Sequence, residues 1–559
     1  MQAIYRARLA ATTLALAAIT ACGGGTDTPA APTPPASPTG LALEKIGGFT
    51  HTGGASSAEI TAYDSLSKRL FVVNGALGSV DVLDLSNPAN PTQVGSISAA
   101  SIGANLGAVN SVAVFNGIVA LAIEANPKTD NGLVAWVRAS DLQVLGTDTV
   151  GALPDMLTFT PNGSHLLVAN EGEPSGYNDP LLYADPEGSV SVIRVTGLAP
   201  NATATSLVRT VATADFRDYN GQEATLRTAG VRIYGPGASA AMDLEPEYIT
   251  VSADGSRAYV TLQENNAVAI VDVANATVLD IKPLGFKDHS LASMGMDVSD
   301  EDGGTNTNSG TPIVKIQQVP VKGMYLPDAI ASYTVGGQTY LITANEGDAR
   351  ADWPGFNEET RVRTYCTAGL DPTVFPDAAN LILDSNLGRL RITTTPNGGV
   401  TGKNGAGECT ELYAFGARSF SIWNTNLGRV YDSGDEFEQR TTALPNVLFN
   451  ASNDNNTLDG RSASKGPEPE GVAVATFGNK TFAFIGLERV GGIMAYDVST
   501  PTQPRYLSYI NTRDGITGDR GPEGLTVIPA ASSPNGKPLL VVGNETSGTT
   551  AIFQINLSY

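Results

Sequence analysis

The sequence predicts an all-β fold: a seven-bladed β-propeller, closed by an N-terminal strand, with a long loop insertion in the fifth blade. Three observations predict it. The 559 residues include 61 Gly and 33 Pro, with only 16% charged and 7% aromatic residues. That is the profile of a strand-and-turn protein, not of a helical bundle. Strand–turn–strand pairs recur along the chain, and seven of them can be counted. Most pairs follow an earlier short strand, and a fourth often comes after. Four-stranded units repeated about an axis are propeller blades, because each sheet has two apolar faces and needs a neighbour on both.

The pairs fall at residues 70–73 with 79–84, 119–123 with 132–137, 165–169 with 188–193, and 258–262 with 267–271. They continue at 340–343 with 418–423, 482–485 with 492–496, and 539–542 with 550–553. Asn162-Gly163 and Asp254-Gly255 supply tight turns. Residues 41–49 are a spare strand that would pair with 550–557 and remove the open edges. A pair of β-sandwiches or an eight-bladed ring is the alternative. The propeller domain therefore covers residues 41–559, with the loop insertion at about 347–411. That loop holds Cys366 and Cys409. In an oxidising compartment they form a disulfide, contributing about 4 kcal/mol through loop entropy.

The N-terminus reads as an address. Residues 1–21 carry Arg6 and Arg8, then a short apolar stretch, as a signal peptide does. Ile19-Thr20-Ala21-Cys22 resembles the lipobox of bacterial lipoproteins, which implies cleavage before Cys22 and acylation of its thiol. Residues 22–40 form a flexible Gly/Pro/Thr tether. Gly23, rather than Asp, after the cysteine resembles lipoproteins sent to the outer membrane. The expectation is an outer-membrane lipoprotein of a bacterial cell envelope, facing the surface or the periplasm. It is read as a monomer, anchored to the membrane by lipid rather than spanning it.

Lys plus Arg total 34 against 56 Asp plus Glu, a net charge of −22. Such a surface repels phosphate backbones, so no nucleic-acid partner is expected. It suits divalent cations. The three histidines, His51, His165 and His289, have no metal-ligand spacing, and no Cys-x-x-Cys exists. A zinc site is not expected.

The acids are patterned. One set starts the first strand of successive units: Asp155, Glu247, Asp328, Glu470 and Glu523, all five in an Xaa-Pro-acid motif such as Glu245-Pro246-Glu247. Asn110 holds the like place in an earlier unit. A second set ends the next strand: Glu124, Glu171, Glu264, Glu346, Glu488 and Glu545, 14 to 22 residues later. In an antiparallel meander the start of one strand and the end of the next share an edge. Both sets should therefore face one end of the ring, the first set innermost. Like charges 4 Å apart repel by about 4 kcal/mol per pair at an effective dielectric near 20. Calcium, or another hard divalent metal, would relieve this. Lys287, His289, Arg350, Arg418, Lys465 and Arg489 lie beside the acids in sequence and are candidates to bind an anion. Acids that cap backbone amides of neighbouring blades are the plainer alternative. A further acidic run, Asp297-Val298-Ser299-Asp300-Glu301-Asp302, resembles a calcium loop but lacks the late Glu of an EF-hand. It is read as a solvated loop, with a peripheral calcium site as the alternative.

Several longer motifs go together: Leu262-Gln263-Glu264-Asn265-Asn266-Ala267, Lys287-Asp288-His289-Ser290 and Ala344-Asn345-Glu346-Gly347-Asp348-Ala349-Arg350. Phe415-Gly416-Ala417-Arg418-Ser419-Phe420, Lys465-Gly466-Pro467-Glu468-Pro469-Glu470-Gly471 and Gly521-Pro522-Glu523-Gly524 complete them. Together they resemble the choice-of-anchor I family of surface proteins and are similar to mesenchyme-specific cell-surface glycoproteins. The resemblance covers about residues 42–557. It implies an extracellular domain carried on varying anchors, and a label often given to members, alkaline-phosphatase-like. The reading is a lipid-anchored, cation-binding propeller that acts as a binding or adhesion module for an unknown surface ligand. A calcium-dependent phosphoester hydrolase, with metal-activated water beside Glu247, Asp328 and Glu470, is the competing class. A structural propeller with capping acids is the third.

Overall fold

The structure is a computed structural model that describes residues 37–178, 183–303, 310–351, 353–395 and 401–559. The signal peptide, Cys22 and most of the tether lie outside the described residues. Seven antiparallel sheets of four strands each follow one another along the chain. Their innermost strands are Thr61–Asp64, Leu106–Phe115, Pro154–Phe159, Pro246–Val251, Ile330–Val335, Pro469–Phe477 and Pro522–Ile528. Each touches the next, and the last touches the first, so the sheets form a closed ring. This is a β-propeller.

Burial follows position within a sheet. The second strands are apolar on both faces and wholly enclosed, as in Leu539–Asn544, because a neighbouring sheet covers each side. An outermost strand such as Val208–Asp215 is largely exposed. The core is therefore a set of slabs between sheets. Val73, Val80 and Val82 of the first sheet, for example, pack on Val109, Leu121 and Ala135 of the second. Gly163 has φ +69° in its turn, and a Cβ there would lie 2.3 Å from the Phe115 ring. Only glycine fits.

The spare N-terminal strand closes the ring. Gly40–Thr50 pairs antiparallel with Thr549–Ser558, the last strand of the chain. The chain's two ends thus share one sheet, with Gly40–Thr50 as its outermost strand, so the last strand of the chain is covered and one outer edge stays open.

The expected loop at 347–411 is corrected. It is folded, and it is not alone. Glu359–Arg361, Arg391–Thr393 and Tyr413–Ala414 join Phe286–Asp288 and Lys322–Met324 in one five-stranded sheet. The last two strands come from before the fifth ring sheet. Val298, Val319, Val362, Leu387, Ile392 and Leu412 form a core of their own around the bonded Cys366 and Cys409. Strands of two or three residues carry no readable alternation, which is why the sequence reads as loop.

The crosslink closes a separation of 43 residues. Replacing Cys366 and Cys409 with serine should cost the inserted region about 4 kcal/mol. Hydrogen exchange should speed up at Arg391–Thr393 and stay slow at Leu539–Asn544. Equal protection with and without the bond would contradict that assignment.

Candidate functional site

Seven residues, one from each ring sheet, stand at the innermost strands: Glu59, Asp155, Glu247, Asp328, Glu470 and Glu523 at or just before the start, and Asn110 at a register slip inside Leu106–Phe115. All are half-buried. The Xaa-Pro-acid motif explains how the carboxylates reach the axis. Leu153, Leu326, Glu468 and Gly521 precede the proline with φ of 47°, 41°, 50° and 68°. A left-handed residue is uncommon for anything but glycine, so tertiary contacts must hold this turn. The proline then pairs with the end of the next strand: Pro154 with Asn170, Pro246 with Leu262, Pro469 with Leu487, and Pro522 with Asn544. In all four the register slips just after the proline, so Asp155, Glu247, Glu470 and Glu523 ride on the irregularity. A bulge re-aims a side chain. Asp155, Asp328 and Glu523, with Asn110 and Tyr248, bound a cavity of about 40 Å³ between the inner strands. That is room for a few waters.

The same pairing sets the second tier. The N–H of Glu171 donates to the Leu153 carbonyl at 2.9 Å, that of Glu488 to Glu468 at 2.8 Å, and that of Glu545 to Gly521 at 2.7 Å. Both acids of a sheet are therefore fixed to one edge, as the strand periodicity requires.

The two tiers differ in their partners. In the outer tier, Glu124 accepts the N–H of Ala108 at 3.1 Å, and Glu545 accepts the Ser56 hydroxyl at 2.8 Å. Glu346 accepts the Gln263 amide at 2.9 Å, and Glu488 the Asn453 amide at 2.8 Å. In the inner tier, no donor among the described residues bonds to the carboxylates of Asp155, Glu247, Asp328, Glu470 or Glu523, although the Asp328 carbonyl accepts the Thr261 hydroxyl at 3.0 Å. The Oε2 atoms of Glu470 and Glu523 are shut off from solvent without a partner, as is Oε2 of Glu264.

Electrostatics record this crowding. Burial, then Glu545 and Asp155, push the Glu59 carboxyl up to about 8. Burial, then Glu173 and Glu124, push Asp155 up to about 7. Glu247 stands well above the usual range through burial, Glu171, Glu264, Asp155 and Asp328. Burial leads for Asp328, Glu470 and Glu523 too, followed by Glu346, Glu488 and Glu59 respectively. Burial and Glu173 raise Glu171, burial lifts Glu264 to about 7 against Arg350, and burial with Glu468 lifts Glu488 to about 8. Each of these acids feels acids of other sheets, so the ring does gather them. Half-exposure of the residues and strong desolvation of their carboxyls coexist, since the Oε2 atoms of Glu470 and Glu523 are closed to solvent while other atoms of these residues are not.

Glu59 has no sequence motif. Its signal is indirect: Asn74-Gly75 stands where other sheets have Asn-Glu. A Cβ on Gly75 would lie 2.8 Å from Glu59 Oε1. One acid fills the space that two share elsewhere.

The six basic candidates do not form one set. Arg350 is buried, bonded to Asp243 and at 2.9 Å to Glu245, and lies over the Tyr234 and Trp353 rings at 4.5 and 4.8 Å. Arg418 bonds Glu438 at 2.6 Å and the carbonyls of Asp297, Ser462 and Ser464. Lys287 bonds the carbonyls of Ala417 and Gly434 and sits 3.3 Å from Asp432. His289 meets the Met294 carbonyl at 2.7 Å; burial, Lys287 and Arg418 hold its pKa well below the usual value. Only Lys465 and Arg489 touch the acidic tiers. Lys465 lies 2.7 Å from Glu346 and 3.2 Å from Glu468; Arg489 lies 2.9 Å from Glu468 and 3.0 Å from Glu488. Burial opposes ionisation of Glu468, yet Lys465, Arg461 and Arg489 hold its pKa well below the usual range.

Among the described residues, two groups bring three carboxylate oxygens within 4.8 Å of one another: Glu346 with Glu468 and Glu488, and Asp297 with Asp302 and Asp459. Lys465 and Arg489 already neutralise the first. The inner ring is not such a cage.

The chain belongs to the choice-of-anchor I family, whose domain matches residues 59–501. It is thus a cell-surface domain with a β-propeller fold. Gigasin-3a of Magallana gigas is 31% identical over 191 residues, 31% of this chain and 66% of that protein. The mesenchyme-specific cell surface glycoprotein of Strongylocentrotus purpuratus is 27% identical over 288 residues, 46% of this chain and 35% of that protein. The chain therefore spans less than two thirds of the length of either relative. Among solved structures, Kuenenia stuttgartiensis hydrazine synthase superposes with a TM-score of 0.44 at 13% identity, over 91% of this chain and 98% of that one. The β-propeller domain of Myceliophteria thermophila Cps50 (Swd1) gives 0.41 at 8% identity, over 92% and 100%. Among the described residues no helix is long and apolar enough to cross a membrane.

Two outcomes follow from the electrostatics. An acid raised on folding binds more protons folded than unfolded, so stability falls as pH climbs from its ordinary to its raised value. Glu59 and Glu488 span 4.5 to about 8, and Asp155 spans 3.8 to about 7. His165 and His289, lowered from 6.5, oppose this only below that pH. Chelator-treated protein should therefore lose melting temperature between about pH 6.5 and 8; a rise would contradict the ring's electrostatics. Second, Glu470→Gln should raise the metal-free melting temperature. Lys465→Met should lower it by the equivalent of about 3–5 kcal/mol, since it strands buried carboxylates. Both are read by scanning calorimetry.

Proposed function

We propose that this protein is a lipid-tethered surface module that takes divalent cations, calcium foremost, at the mouth of its propeller and uses them to bind an anionic surface ligand. The observation that carries this reading is the inner tier: carboxylates of different sheets converge, and five of them have no hydrogen-bond donor. Repulsion of about 4 kcal/mol per close pair needs an outside counter-charge or protons. An all-oxygen lining suits a hard ion. The small cavity favours one that keeps part of its water, leaving its outward face for a partner. Acylation of Cys22 and the tether after it would hold the domain at the outer membrane of a bacterial envelope.

The hydrolase reading has less support. It needs free arginines beside metal-activated water, and Arg350 and Arg418 are committed to Asp243, Glu245 and Glu438. The capping reading fits Glu124, which bonds a main-chain amide, but not the inner tier. The test is equilibrium dialysis of chelator-stripped full chain against calcium, with p-nitrophenyl phosphate hydrolysis measured alongside. Calcium should bind, and Asp328→Asn with Glu470→Gln should abolish that binding at the channel. Hydrolysis should stay at the buffer rate. Calcium-dependent hydrolysis lost in the double variant would instead make the protein an enzyme.

A further inference from the structure

The second carboxylate group belongs to neither tier, and Lys315 acts on its Asp302 only from beyond ion-pair distance. Asp297 and Asp302 precede the fifth ring sheet, in the acidic run that resembles a calcium loop. Asp459 belongs to the connection between the fifth and sixth sheets. One oxygen of each lies within 4.8 Å of the others. Asp297 and Asp459 are wholly buried, and Asp302 is half-buried. Among the described residues none of the three is in an ion pair. Lys315, whose N–H bonds Asp297 Oδ2 at 2.5 Å, sends its ammonium to Asn386 at 3.4 Å instead. Arg418 takes the carbonyl of Asp297, not its carboxylate, and pairs with Glu438. Arg389 pairs with Asp300 and Glu301.

Unsatisfied acceptors mark the same spot. Asp459 bonds the Ser462 hydroxyl through Oδ1, but its Oδ2 is buried without a donor. Asn450, also fully buried, gives its amide N–H groups to Ser462 and Glu438, and its Oδ1 is likewise without a donor. A buried acceptor left unpaired costs roughly 1–3 kcal/mol, more when charged. Asn450 is tied to Asp459 through Ser462, and the Arg418 guanidinium beside them is spent on carbonyls and on Glu438 rather than on the three acids. Glu346, Glu468 and Glu488 are the internal contrast. They are equally close together, but Lys465, Arg461 and Arg489 fill the space between them.

We infer that Asp297, Asp302 and Asp459 form a second divalent-cation site, separate from the channel and suited to calcium. Oxygen-only ligands of high negative charge select calcium over softer metals. Burial and then Glu438 raise the Asp297 carboxyl to about 7, and burial and then Asp297 raise Asp459 to about 8, as expected of a site whose charge is otherwise unrelieved. The ion would join the segment before the fifth ring sheet to the connection leading into the sixth. Binding confined to the folded state raises stability by mass action.

The test is calcium stoichiometry and melting temperature of chelator-stripped full chain, with near-UV circular dichroism to verify folding. Asp302→Asn, on a half-exposed loop, should lose one equivalent of calcium per chain and most of the calcium-dependent rise in melting temperature. Asp459→Asn should do the same; if it fails to fold, Asp302→Asn carries the result. The channel variant Asp328→Asn with Glu470→Gln should keep this equivalent, so the two sites fail independently. Wild-type stoichiometry in folded Asp302→Asn would overturn the site. So would a wild type that binds no calcium at millimolar concentration.

Discussion

Like charges carried to one axis by a repeated unit cannot move apart without opening the ring. That constraint governs this molecule. Every sheet but the second, which offers Asn110, brings its own acid inward, and Asp155, Glu247, Asp328, Glu470 and Glu523 meet because their sheets are related by rotation. Sliding a sheet outward would break the apolar slabs on both its sides, so the fold holds the charges together against their repulsion. The pairing of Gly40–Thr50 with Thr549–Ser558 keeps the circle shut.

Local chemistry serves the same end. A left-handed residue, a proline and a register slip recur at the start of the inner strands, and they aim the acid inward. The outer acid is drawn beside it by a main-chain hydrogen bond to the residue before that proline. The outer tier is largely satisfied by protein donors, while the inner tier is left open. Where lysine and arginine enter, at Glu346, Glu468 and Glu488, the structure supplies its own compensation. Among the described residues the inner tier and the Asp297 group have no ion pair, and for that reason both are proposed to take a cation from outside.

Much of this was legible in the sequence. Strand alternation with Gly-bearing turns gave the propeller, and the recurrence of Xaa-Pro-acid gave five of the ring acids. Cys366 and Cys409 were readable because no other cysteine in the folded domain could pair with them. Other features were hidden for physical reasons. Glu59 lacks the proline, and only Gly75 hints at it. The five-stranded inserted sheet draws its short strands from two separated segments, and neither shows a period. Basic residues beside the acids in sequence were expected to share one site. In space Arg350, Arg418 and Lys287 turn to other carboxylates and carbonyls, because a buried cation takes the nearest full set of acceptors. Asp459 could not be linked to Asp297 across more than a hundred and fifty residues, since nothing local marks the pair.

A cation that completes the inner ring would sit on the channel axis. Anomalous diffraction from crystals grown with a lanthanide in place of calcium, near pH 8, tests it most directly. A peak is expected on the channel axis, within reach of Asp155, Asp328 and Glu523 directly or through one shell of water. A channel that holds only water under those conditions, with the carboxyls paired through shared protons, would contradict it.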